Sequence, residues 1–154
     1  VFPDIIGITN KYGTSIYYEH EQGTDQVNST ATTAIPAFIR SGDWDITSRR
    51  SALGQATGVA DYRGDGEFFM AVRRFIPDFK YQTGNAKVTL LVSAYPDDVA
   101  VSSPLGPFTV TSTTDKVDTR ARGRLVSVKI ENDGTGETWR YGTLRLDEQP
   151  DGRR

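Results

Sequence analysis

Three arginines at alternate positions, Arg120, Arg122 and Arg124, are the densest chemistry in this chain. On an extended segment, residues i, i+2 and i+4 project from one face. Three guanidiniums on one face form a basic stripe suited to phosphate, a glycan carboxylate or a neighbouring subunit. Arginine fits such contacts because its planar fork bonds carboxylates in pairs. The plainer use is a solvated strand face cross-paired with Asp118, Asp147 or Glu148. No aromatic is interleaved in the stripe, as a single-stranded nucleic-acid platform would require. The whole chain carries 18 basic and 20 acidic residues, a net charge of −2, whereas a dedicated nucleic-acid binder is basic. Matching by carboxylates, within the domain or on a neighbouring subunit, is therefore the expectation. Nucleic-acid contact is left as a secondary alternative.

The other chemistry-bearing residues give weaker patterns. Trp44 and Tyr62 lie near loop tips and are the candidate glycan contacts. Trp139 and Tyr141 share a strand face, where core packing is the default use. Asp61, Asp65 and Glu67 suggest a calcium loop, but the third and twelfth ligand positions hold Arg63 and Val72. A looser calcium set on the three acids is a minor alternative to a plain turn. Zero cysteines exclude disulfides and Cys-ligated metals. His20 is the lone histidine, between Glu19 and Glu21, and on a strand it would face away from both. Asp43 with Asp45, and Asp97 with Asp98, sit among turn formers. No nucleophile–base pair stands out. The expectation is no catalytic residue, no cofactor and no metal: not an enzyme.

The elements that would position these residues are strands. Hydrophobic content of 36% with 25% charged residues supports a folded core over a disordered chain. No apolar run approaches the roughly 20 residues of a membrane helix, so no membrane partner is expected. Runs of four to eight β-formers alternate with Gly, Pro, Asp and Asn clusters. Residues 14–19, 35–40 and 43–47 read as strands, and residues 21–33 and 51–66 as loops. In residues 68–75, Phe68, Met70 and Val72 face one way. Phe69, Ala71 and Phe75 face the other, so both faces look covered. Residues 87–95 read as the hairpin partner of that strand, residues 96–107 as a proline-bearing loop, and residues 108–111 as a short strand. The chain closes with a strand bearing Val126, Val128 and Ile130, a turn at Asn132-Asp-Gly-Thr-Gly136, and a strand bearing Trp139, Tyr141, Leu144 and Leu146. Its phase slips at Gly142, which marks a bulge or a close backbone approach. The fold class is all-β, an antiparallel β-sandwich of jelly-roll type. Residues 1–33 form an N-terminal arm and residues 34–154 the sandwich. Phe68, Met70, Val72, Val88, Leu90, Val92, Val126, Val128, Ile130 and Leu144 are its expected core.

The closing residues also carry a resemblance. Arg120-Ala-Arg-Gly-Arg124, the alternating strand after it, Trp139-Arg-Tyr-Gly142 and Pro150-Asp-Gly-Arg-Arg154 resemble the carboxyl end of bacteriophage tail structural proteins. The group is the tail nozzle or tail-hub family of short-tailed phages. The similarity extends through Gly106-Pro-Phe-Thr-Val-Thr111 and Glu67-Phe-Phe-Met-Ala-Val-Arg-Arg-Phe-Ile-Pro-Asp-Phe79, and reaches residues 34–46. None of these motifs is catalytic. The resemblance implies a mechanical role: a subunit of a symmetric ring of copies, in contact with other virion tail proteins. It implies residence in the virion tail, assembled in the host cytoplasm, and Arg120, Arg122 and Arg124 become candidate subunit-interface residues. A start at Val rather than Met fits a piece of a longer polypeptide. The competing class is a carbohydrate-binding β-sandwich module contacting host surface glycans. A glycan-degrading enzyme ranks behind both.

Overall fold

The computed structural model describes residues 5–9, 15–19, 23–27, 31–46, 68–95 and 103–152. In chain order their strands are β1 (Ile5–Thr9), β2 (Ser15–Glu19), β3 (Asp25–Val27), β4 (Thr32–Ala34) and β5 (Ala37–Arg40). Then come β6 (Met70–Ile76), β7 (Phe79–Thr83), β8 (Ala86–Ser93), β9 (Ser103–Val110) and β10 (Val117–Gly123). The last are β11 (Leu125–Asn132), β12 (Thr138–Tyr141) and β13 (Arg145–Pro150). Every pairing between them is antiparallel.

Two sheets form an all-β antiparallel sandwich, one of four strands, β5-β11-β8-β9, and one of three, β10-β6-β13. Period-two patterning builds the first. Val126 pairs with Val92, Val128 with Leu90 and Ile130 with Val88. Opposed residues of an antiparallel ladder share a face, so six aliphatic side chains form one inward block. The second sheet meets it with Met70, Val72, Phe75 and Ala121, and Val110 of β9 closes the side. Phe75 sets its edge on Phe108 of β9, centroids 5.8 Å apart, which joins the two sheets. Eight of the ten expected core residues are buried. Phe68 and Leu144 are half-buried and packed against the cluster.

The partners of several strands differ from the sequence expectation. β6 and β8 are not a hairpin: they lie in opposite sheets. Period two fixes a face but not a neighbour. Phe75 shares the inward face with Met70 and Val72, contrary to the expected alternation. The ladder to β13 slips between Val72 and Arg74, so β6 carries one extra residue there and its phase resets. The prolines of β9, Pro104 and Pro107, fall inside a strand expected to be loop. β9 is a sheet edge, where a missing N–H costs no ladder bond. The loop expected over residues 21–33 holds the β3–β4 pair. The closing strands do not pair with each other either: β12 joins β7, and β13 joins β6.

The β7–β12 ladder caps one side of the core. Phe79 packs on Trp139 and Tyr141 at 5.8 and 5.5 Å between centroids. The phase slip at Gly142 is a close approach. Its N–H donates to the Asp78 carbonyl (2.8 Å), and a Cβ there would lie 2.6 Å from the Asp78 carboxylate. The expected excursion at 51–66 lies outside the described residues.

Candidate functional site

The outward face of the three-stranded sheet carries the arginines. β10 alternates buried Thr119, Ala121 and Gly123 with exposed Asp118, Arg120 and Arg122. Thr119 sits where the β10 ladder to β6 is irregular, and its hydroxyl donates to the Val72 carbonyl at 2.7 Å. Gly123 is dictated by packing, because a Cβ would run into the Val92 side chain. Arg124 lies past the end of β10, where the chain crosses to the other sheet. Its backbone N–H donates to the Ser93 carbonyl (2.9 Å). Two of the three arginines are thus on one strand face, and the third stands at the crossover.

Across this face the charges are laddered. Arg74 lies opposite Asp118 on one side and Asp147 on the other. Its Nε donates to Asp118 Oδ1 at 2.6 Å. That hydrogen bond, helped by the guanidinium charge, holds the Asp118 carboxyl below its usual range and raises Arg74. One end of the face is built on Phe69. The guanidinium carbons of Arg122 and Arg124 stand 4.3 and 4.6 Å from its ring centroid. Arg122 Nε also donates to Asp151 Oδ2, and its Nη2 to the Asp151 carbonyl (3.3 Å). Asp151 is held in turn by reciprocal backbone bonds that extend the ladder past β13: its N–H to the Phe69 carbonyl, and the Phe69 N–H to the Gly152 carbonyl. The side of β6 expected to lie under another layer is therefore covered at Phe69 by arginines.

Phe69 as a stacking platform and Asp151 as the acid of Arg122 were not legible in the sequence. Asp151 lies 29 residues beyond Arg122, in a Pro-Asp-Gly turn whose composition says only that the chain bends. Arg120 is exposed on the same face. Chemically the face can hold an anionic group at Arg120, and elsewhere it ties strands together.

Other carboxylates fasten loops. Asp25 accepts the Gly136 N–H with both oxygens (2.9 and 2.8 Å), tying the β3–β4 pair to the loop after β11. Glu137 accepts from Gly134 (2.8 Å) and Asn85 (3.3 Å). Asp78 accepts from Thr143 (3.1 Å). Lys87 grips both oxygens of Asp133 at 2.7 Å, a hydrogen bond that raises the Lys87 ammonium.

Trp44 is half-buried against the core, and its backbone bridges to Val126. Asp43 is exposed and Asp45 buried, so that pair does not share a surface. His20, Asp61, Tyr62, Asp65, Glu67, Asp97 and Asp98 lie outside the described residues. Among the described residues the most exposed aromatics are Tyr81 (79%), Phe38 (68%) and Tyr95 (66%), and Arg140 stands 5.2 Å from the Tyr81 ring centroid. No protein-family model matches the chain, and no curated protein matches it.

Proposed function

We propose that the chain is a non-enzymatic structural protein, a β-sandwich domain of a bacteriophage tail, whose work is shape and contact with neighbouring copies. The observation that carries this reading is the use made of charged groups. Asp118, Asp133 and Asp151 each grip a cation on another strand or loop, and Asp25, Asp78 and Glu137 each hold backbone N–H groups. These are fastenings between elements, the use a load-carrying domain makes of its polar side chains. The segments that resemble tail proteins fall on β5, β6, β9, β10, β11 and β12 and so supply both sheets. The proposed setting is the virion tail, assembled in the host cytoplasm as a closed symmetric array of copies.

The test is mass spectrometry and imaging of purified particles from the genome that encodes the chain. Peptides of this chain at a fixed copy number per virion, located by labelling at a symmetric part of the tail, are the expected result. Their absence from purified virions overturns the reading. The second reading, a glycan-binding module, is favoured by the exposed rings of Tyr81 and Tyr95. It requires retention on host surface polysaccharide that is lost in Tyr81→Ala.

A further inference from the structure

The four edges of the two sheets are guarded unequally. β9 carries Pro104 and Pro107. β13 carries Asp147, Glu148 and Pro150, and β10 carries Asp118, Arg120, Arg122 and an irregular register. Prolines, charges and bulges at an edge all discourage a further strand from pairing. β5 differs. Its residues Ala37-Phe38-Ile39-Arg40 are all exposed, Phe38 by 68%, with no proline inside the strand and an unbroken register to β11.

The direction of its backbone groups follows from one hydrogen bond. The Ser41 N–H donates to the Val128 carbonyl at 2.9 Å. Arg40, Ile39 and Phe38 stand opposite Lys129, Ile130 and Glu131. Bonded and non-bonded pairs alternate in an antiparallel ladder. Ile39 therefore spends its N–H and C=O on β11, and those of Phe38 and Arg40 point to the edge that no described strand pairs.

We propose that β5 pairs antiparallel with β5 of a second copy across a two-fold axis centred on Ile39. Three observations select this occupant and register. A two-fold normal to the sheet keeps its faces, so Phe38 must meet a residue of the same face. Centring on Phe38 would set Arg40 against Pro36, which has no N–H to give. Centring on Ile39 sets Phe38 against the partner's Arg40, and every outward donor and acceptor of the two residues finds its mate. The side chains are also complementary. Within its own sheet Arg40 stands opposite Lys129, whose ammonium pairs with Glu131 and stands 5.5 Å from the Phe38 ring centroid. Across the new edge the Arg40 guanidinium comes beside the partner's Phe38 ring as a second cation. Ile39 meets itself in a close non-bonded pair. The contact spans few residues, so it is a weak, concentration-dependent interface. It is independent of the tail assignment: with a ring it would add dihedral symmetry, and a failed test would leave the virion measurement untouched.

The chain has no cysteine, so Ile39→Cys introduces a single reporter. A non-bonded antiparallel pair sets the Cα atoms about 4.5 Å apart, within disulfide reach. Oxidation of purified Ile39→Cys at high concentration should give covalent dimer about tenfold faster than the exposed-loop control Ser112→Cys or the off-register Phe38→Cys. Adding Arg40→Pro removes an N–H that β11 does not use, and should abolish the acceleration while the thermal transition persists. Phe38→Lys, which keeps every backbone group but sets a cation against the partner's Arg40, should slow dimer formation too. Equal rates for Ile39→Cys and Ser112→Cys overturn the proposal. So does a faster Phe38→Cys, or a fast Ile39→Cys reaction that survives both second substitutions.

Discussion

The two sheets hold together by different means. In β5-β11-β8-β9 the inner strands β11 and β8 alternate without interruption, and their inward residues are aliphatic up to Asn132 at the end of β11. A register slip lies only towards the edge strand β9, between Val88 and Leu90. In β10-β6-β13 the central strand breaks its alternation at Arg73 and Arg74, and the outward face is laced by Arg74 with Asp118 and Arg122 with Asp151. The break serves the core: after the extra residue Phe75 points inward again and reaches Phe108 across the sandwich. A bulge thus trades regular pairing for a large aromatic in the right place. The polar lacing sits around the irregular ladder that results.

The strongest way to break this comparison is to empty the position that the bulge serves. Phe75 is fully buried. Phe75→Ala should cost about 3–5 kcal/mol, and Leu90→Ala in the regular sheet about 2–5 kcal/mol, from lost transfer energy plus a cavity. Denaturant unfolding of both variants measures the pair. A Phe75 variant losing under about 1 kcal/mol would mean that the site collapses freely and that the bulge does not serve the core.

The next effect concerns the crossover between the sheets. Gly123 lies where β10 passes over Val92 and the Ser93 carbonyl, and a Cβ would stand 2.9 Å from that oxygen. Gly123→Ala should cost about 1–3 kcal/mol by overpacking. Val92→Ala in the same chain should recover part of that loss, because it removes the opposing methyls. Additive losses in the double variant would sink the steric explanation.

The regular sheet is the part that was legible in the sequence. Val88, Leu90 and Val92, like Val126, Val128 and Ile130, each lie on a strand with one inward face, and period two reports that directly. The parity of Arg120 and Arg122 was legible for the same reason. What escaped was non-local or irregular. Strand partners are set by how the chain crosses between sheets, through β7 after β6 and at Arg124 after β10, and no residue type encodes that. The Arg73-Arg74 doublet between Val72 and Phe75 was the local sign of the bulge, since it spaces two apolar residues by three. Pro104 and Pro107 read as loop because a strand that can hold them must be an edge, and edge position is a property of the finished sheet. At the candidate site, Phe69 and Asp151 were invisible because a stack and an ion pair across a ladder follow from register alone.

A smaller effect lies in the β7–β12 cap. Tyr141 is half-buried against Phe79, and burial raises its phenol above the ordinary value of 10.0, with Asp78 adding to the rise. A folded-state value raised in this way gives stability that is fully present below pH 10. It is lost as pH climbs through the folded value. Tyr141→Phe should therefore flatten the alkaline limb of the stability–pH curve and leave the neutral region nearly unaltered. An alkaline limb unchanged in the variant would mean that the phenol ionises as freely in the fold as in the open chain.

The smallest effect belongs to the lacing itself. Arg74 is partly and Asp118 largely solvent-exposed, with side-chain exposures of 39% and 65%, so their pairing is screened by water and salt. The Arg74 hydrogen bond lowers the folded-state value of Asp118 below 3.8. Its contribution is present above pH 3.8 and disappears as pH falls through the folded value. Asp118→Asn should cost little at neutral pH and low salt and still less at high salt. It should also remove part of the loss on acidification. Arg74→Gln should do the same through the other partner, and the double variant should be no worse than either alone. Losses that instead add, or that ignore salt, would show that the two residues act through separate contacts. The outer face would then be irregular without being laced, and the contrast between the two sheets would reduce to the bulge.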